Sequence, residues 1–147
     1  MTIPATQHEA SGSTDRRGLT VLDMTTCLRR LSETPVGRVA YFDRGEIVIL
    51  PVNHVLDGVH VAFRTTTGSK LGNAANHGAM SFEVDNVDLK NHCGWSVLVV
   101  GTAEVVDATE SARLESLMAS SWAASDNSSW VWIRPSEISG REITGPR

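Results

Sequence analysis

The sequence predicts a mainly β, α+β domain: one antiparallel barrel with short helices on its flanks. Three observations carry this. Short apolar or alternating runs recur at close intervals after Pro35, the two-residue period of strands. Turn signals separate them at hairpin spacing, most clearly Asp57-Gly58. Helical patterns are few and short and do not alternate with strands as a parallel sheet requires. Hairpin-linked strands suit a barrel or a sandwich, and barrel closure removes the edges that short strands expose.

The first patterned segment, Val21 to Thr34, places Val21, Met24, Leu28 and Leu31 on one helical face. Asp23 or Thr20 can cap it, and Pro35 stops it. Strands are predicted over Val36–Phe42 and, after the Asp43-Arg44-Gly45 turn, over Glu46–Val52. Asp57-Gly58 suits a type I′ turn between His54-Val55-Leu56 and Val59–Phe63. Alternation then puts Val59, Val61 and Phe63 on one face and His60, Ala62 and Arg64 on the other. Thr65 to His77 reads as a loop opening a short helix capped by Ser69 or Thr67. Ala79 to Asp85 alternates with Met80, Phe82 and Val84 on one side, and Asn86 to Cys93 is loop-like. Trp95 to Val106 is a long strand with a bulge or bend expected at Gly101. Asp107 to Glu110 has capping-box spacing for a helix carrying Leu114, Leu117 and Met118. A loop over Ser125–Ser129 and a last strand over Trp130–Arg134 precede Pro135 and Ile138-Ser139-Gly140-Arg141. The total is six or seven strands and three short helices.

The chain has 147 residues, 41% hydrophobic and 20% charged, with a formal net charge of −4. That length fits one domain able to bury a core without disulfides. The acidic balance argues against nucleic acid or an anionic membrane as partner. Cys27 and Cys93 lie far apart, which favours a reducing, cytoplasmic location over a disulfide framework. No apolar run reaches the length of a membrane span. Residues 1–18 mix Ser, Thr, Gly and charge without an apolar core, and read as a disordered leader rather than a secretion signal. The domain is then 19–147.

Three segments bear chemistry. Phe63-Arg64-Thr65-Thr66-Thr67-Gly68-Ser69-Lys70-Leu71 gathers two cations, four hydroxyls and a glycine where a strand gives way to a helix. A phosphate dianion is held by such N–H groups, hydroxyls and charge-assisted bonds. The spacing is not that of a nucleotide P-loop, and a solvated polar turn is the competing reading. Pro51-Val52-Asn53-His54 ends an apolar run in a proline. It offers either backbone groups for a flat heteroaromatic ring or an edge-strand irregularity. Gly94-Trp95-Ser96-Val97 sets a tryptophan and a hydroxyl beside a glycine, to cover a ligand or another subunit, or to pack the core.

These segments, with Val36-Gly37-Arg38-Val39-Ala40, Phe82-Glu83-Val84-Asp85, Gly101-Thr102-Ala103, Ile133-Arg134-Pro135 and Ile138-Ser139-Gly140-Arg141, stand in one order. In that order the chain resembles the pyridoxamine 5′-phosphate oxidase-like group of flavin-binding split-barrel proteins, over Asp23 to Ile143. The resemblance implies a six-stranded antiparallel split β-barrel and a homodimer with cofactor sites at the subunit interface. It implies FMN as the cofactor and oxidoreductase activity on a small molecule. By position, Val52 and Asn53 should line the isoalloxazine edge. Arg64, Thr65, Ser69 and Lys70 should hold the phosphate, with Thr66 and Leu71 in the same segment. Trp95, Ser96 and Val97 should approach the cofactor from a neighbouring strand or the partner subunit, and Arg141 from the C-terminal segment. The chain lacks the second basic cluster that vitamin B6 oxidation needs. An F420-dependent reductase of the same fold, a haem protein and a non-catalytic binder serving stress or storage remain open.

No catalytic dyad is evident, which a flavin protein tolerates because the cofactor carries the redox chemistry. No histidine or cysteine spacing suggests a metal site. His54 is read as a structural histidine beside Asn53, and Trp122, Trp130 and Trp132 as packing residues.

Overall fold

The computed structural model describes residues 12–76, 78–118 and 128–146. Trp122, His77 and most of the expected Ser125–Ser129 loop lie outside them. The elements in order are β1 (Thr20–Val21), α1 (Met24–Glu33), β2 (Val36–Asp43), β3 (Glu46–Asp57), β4 (His60–Thr66), α2 (Lys70–Ala74), β5 (Ala79–Asp88), β6 (Cys93–Val105), α3 (Ala108–Leu117) and β7 (Ser128–Ile143).

All pairings are antiparallel, and the sheet order is β1-β7-β4-β3-β2-β5-β6 with β7 also bonded to β6. The ring β7-β4-β3-β2-β5-β6 is thus the expected six-stranded barrel. A two-residue seventh strand, β1, is added at the back of β7.

The barrel is open along part of β3. β3 pairs with β2 from Glu46 to Asn53, but with β4 only from His54↔Phe63 to Asp57↔His60. Along 46–53 its other edge meets no strand among the described residues. This is the split.

Barrel alternation works as expected. Val61 and Phe63 on β4 and Met80, Phe82 and Val84 on β5 are buried in the interior with Val39, Tyr41, Val97, Val99, Val131 and Ile133. Ala62 faces outward beneath α3, in a second cluster with Leu114 and Trp130. Asp107 caps α3 by accepting from the Glu110 N–H at 2.8 Å, and Asp23 caps α1 through the Thr26 N–H at 2.7 Å.

Several boundaries differ from the sequence reading. α1 begins at Met24, because Val21 pairs with Arg141 in β1; its buried stripe is Cys27 and Leu31. The β3–β4 loop is Gly58-Val59, one residue later than expected. Only Gly58 has positive φ (62°) there, which is the type II′ pattern rather than I′. Arg44 (φ 51°) and Gly45 (83°) both take positive φ. Pro51 does not end β3, since an edge strand tolerates a residue without an N–H. The expected Asn86–Cys93 loop shrinks to the turn between Asp88 and Cys93. β7 runs unbroken through Pro135, where the register shifts between Val100 and Gly101 and Ser136 is left over as a bulge. Residues 12–22, overlapping the expected leader, form a hairpin in which the Gly12 N–H donates to the Val21 carbonyl.

His54 ties α1 to the barrel. It is buried, its Nε2 donates to the Leu31 carbonyl at 2.9 Å, and its ring meets Phe82 edge-on at 4.6 Å.

Two outcomes are expected. A Cβ on Gly101 would sit 2.1 Å from the Arg134 carbonyl oxygen, so Gly101→Ala should cost about 1–3 kcal/mol of stability. The urea midpoint reads this, and an unchanged midpoint would refute the tight bulge. Burial, the largest cause, pushes the His54 imidazole below its ordinary range against the Leu31 and Pro35 backbone bonds. The group is neutral in the fold and titrates near 6.5 when unfolded. Stability is therefore full above about pH 6.5 and falls as pH drops below it towards the folded value. Urea melts between pH 7.5 and 5.5 should show a steeper loss in the wild type than in His54→Gln; equal slopes would clear His54 of the effect.

Candidate functional site

The phosphate-type segment is built on the end of β4. Thr66 ends the strand, Gly68 turns at φ 81°, and the Ser69 N–H donates to the Thr66 carbonyl at 3.1 Å. Ser69 caps the five-residue α2, accepting from the Gly72 N–H at 3.0 Å. The Thr65 hydroxyl lies 3.1 Å from that of Ser69, and the Thr67 hydroxyl 2.7 Å from that of Ser129. Leu71 anchors the segment in the core. Lys70 reaches outward, 74% exposed, with Nζ 3.6 Å from Asp43 Oδ2. The structure thus brings Thr65, Thr66, Ser69, Lys70 and Leu71 together.

Arg64 is not among them. Successive residues of a strand point to opposite faces, so while Thr65 turns inward Arg64 turns out beneath α3. There its guanidinium donates to Glu115 at 3.1 Å and lies 5.7 Å over the Trp130 ring, whose Nε1–H donates to the same carboxylate at 3.0 Å. Nothing in the sequence marked Glu115, on a helix face that reads simply as polar.

Val52 and Asn53 sit at the split. The β3–β4 ladder stops at His54↔Phe63, and continuing its register sets Asn53 and Val52 across from Arg64 and Thr65. Val52 packs against the core, and the free β3 edge beside them offers backbone donors and acceptors.

Trp95, Ser96 and Val97 are elsewhere. Val97 is buried opposite Val84, Ser96 pairs with Asp85 and Arg141, and Trp95 lies under Arg30 at 4.6 Å. The end of β6 nearest α2 is Ala103, whose N–H donates to Gly78. Trp95 is eight residues back, roughly 25 Å along the strand. One protomer therefore does not bring this trio to Lys70. Arg141, expected near the site, instead binds Asp15 of the N-terminal hairpin at 3.0 Å.

Outside the split, Phe42 and Ile47 face each other across β2 and β3, with Ile49 beside them, and are 67%, 70% and 65% exposed. Farther along this surface Arg38 lies 4.0 Å from Glu83 and 3.7 Å from Asp85. Burial first, then the Asp85 carboxylate, pushes Glu83 up to about 7 against the pull of Arg38, because close carboxylates resist joint ionisation. Among the described residues, no group of three His, Cys, Asp or Glu side chains could hold a metal, and no helix is long and apolar enough to cross a membrane.

Comparisons with known proteins agree with this architecture. The FAD-binding protein from Mycobacterium smegmatis superposes with a TM-score of 0.77 at 33% identity, covering 86% of this chain and all of that one. A conserved protein of unknown function from Corynebacterium diphtheriae does so at 0.71 and 34%, covering 86% and 98%. An uncharacterised Mycobacterium tuberculosis protein is 31% identical over 133 residues, 86% of this chain and 87% of its own. The family model for pyridoxamine 5′-phosphate oxidase matches residues 23–142. With that match over most of its length, the chain belongs to the pyridoxamine 5′-phosphate oxidase family.

Proposed function

We propose that the chain is a homodimeric flavin-binding oxidoreductase acting on a small molecule, with FMN as its cofactor. The observation that carries this is the split: a β3 edge that pairs with no strand over Glu46–Asn53 among the described residues, with the hydroxyl and ammonium groups of Thr65–Lys70 following where the β3–β4 ladder stops and Lys70 reaching Asp43. The donor set suits a phosphoryl group, since Lys70 supplies an exposed cation and Thr66 and Ser69 supply hydroxyls. Thr65 orients the Ser69 hydroxyl, and Leu71 fixes the segment to the core. The β3 edge at Val52 and Asn53 supplies backbone partners for the polar rim of the ring. Arg64 joins the grip only by leaving Glu115. A bound flavin would supply the redox chemistry, and the chain binds, orients and shields it.

The FAD-binding relative from Mycobacterium smegmatis favours a second reading, FAD in the same grip. The exposed face of Phe42, Ile47 and Ile49 beside an open strand edge supports the dimer, since such a surface is costly to leave in water. In a dimer, Trp95 and Ser96 of one copy reach the cofactor held by the other.

Lys70→Ala should weaken flavin binding about tenfold or more, as loss of one charge-assisted bond of about 1.5–3 kcal/mol implies, and Arg64→Ala should weaken it less. Titration of the apoprotein with FMN and with FAD, read by flavin fluorescence, measures both. Full affinity in Lys70→Ala would misplace the phosphate site. Ile47→Asp combined with Ile49→Asp should yield a monomer by light scattering at micromolar concentration; an intact dimer would move the interface elsewhere.

A further inference from the structure

The outer face of the barrel where β2 meets β5 carries a charge cluster that flavin binding does not use. Strand alternation buries Val39, Tyr41, Phe82 and Val84 inside, so Arg38, Glu83 and Asp85 point out together. Arg38 stands opposite Glu83 in the ladder, and its Nη1 lies 4.0 Å from Glu83 Oε1 and 3.7 Å from Asp85 Oδ2. We propose that this cluster lies in a two-fold interface between copies of the chain and makes dimerisation proton-linked, each copy taking up one proton between Glu83 and Asp85 as the interface closes. The proposal rests on the homodimer put forward above.

The occupant is a second copy for two reasons. The cluster is continuous with the exposed apolar face: along β2, Arg38 and Phe42 share one side, and Pro51, Ile49 and Ile47 stand opposite Arg38, Ala40 and Phe42. On the other flank Leu98, 42% exposed, stands opposite Glu83, and Ser96 opposite Asp85. The patch also carries both signs of charge. Across a two-fold axis it is self-complementary, the guanidinium of one copy meeting the acid pair of the other.

The proton follows from the balance of charge. One guanidinium against two ionised carboxylates leaves each cluster with an excess negative charge. A two-fold brings acids and guanidiniums together in the same ratio, so the second copy does not cure the excess. β5 is bonded to β2 and β6, and beyond Arg38 those neighbours bring only Leu98 and Ser96 to this spot, neither of which titrates. Arg141, one strand farther across Ser96, is engaged by Asp15. Glu83 Oε1 is buried and accepts from no N–H or O–H among the described residues, with Arg38 too distant for a hydrogen bond. Being covered, it is also beyond the donors of another copy. A proton shared with Asp85 relieves it. In one copy burial and the Asp85 carboxylate already hold Glu83 at about 7. A second copy strips more water from the pair and raises it further. The dimer therefore binds more protons than two monomers, and it tightens as pH falls through neutrality and loosens as pH rises.

Sedimentation of the full chain over a range of concentrations, between pH 6 and pH 8.5, measures this. The dimer dissociation constant of the wild type should rise about tenfold or more across the range, since one pKa unit of differential interaction is tenfold. Glu83→Gln, which mimics the protonated acid, should hold the wild type's pH 6 affinity throughout, and Asp85→Asn should flatten the profile likewise. A wild-type dimer whose affinity does not change with pH would overturn the proton linkage and leave the homodimer standing. So would a Glu83→Gln profile as steep as the wild type's. A chain monomeric at every pH would remove the homodimer and the linkage together.

Discussion

Backbone hydrogen bonding in a closed barrel leaves little freedom: each strand must satisfy two neighbours, or a gap must be managed. Here β3 satisfies β2 along its first eight residues and β4 only along its last four. Everything distinctive about the surface follows from that. Pro51 is tolerated because it lies where the ladder is one-sided. Val52 and Asn53 have free backbone neighbours because β4 has already turned away towards Ser69. Ile47 and Ile49 stand exposed on the same stretch, although they belong to the longest apolar run of the strand.

The charges around the split are arranged by strand alternation rather than by proximity in sequence. Arg64 and Lys70 are six residues apart, yet the first is largely covered by Glu115 and Trp130 while the second extends into solvent near Asp43. An exposed pair such as Lys70–Asp43 contributes little and exchanges its partner readily. The largely covered Arg64–Glu115 pair is costly to break, because the carboxylate also serves Trp130. The two cations are therefore not equivalent, and the one beside the open edge is the one free to serve a ligand.

Much of the barrel was legible in advance because it rests on local rules. The alternation of Val61, Phe63, Met80, Phe82 and Val84, the caps Asp23, Ser69 and Asp107, and the bulge at Gly101 all follow from period, capping chemistry and the missing side chain of glycine. The continuity of β3 and β7 through Pro51 and Pro135 was not legible. Whether a proline ends a strand depends on which neighbours need its N–H, and that is decided by distant chain. For the site, the grouping of Thr65, Ser69 and Lys70 followed from sequence proximity. The capture of Arg64 by Glu115 and of Arg141 by Asp15 joins residues 51 and 126 positions apart, beyond any short-range pattern.

The placement of β7 has a consequence for how the chain comes to be folded. It is the stave bonded to both β4 and β6, and it emerges from the ribosome after the other described strands. Until residues 128–143 have been translated, β4 and β6 each present an unzipped margin and the interior is open along its length. A nascent chain held at that point is a curved sheet with its apolar concave side accessible to chaperones or to other nascent chains. Closure must wait for that stave, so the barrel is completed only once residues 128–143 are available.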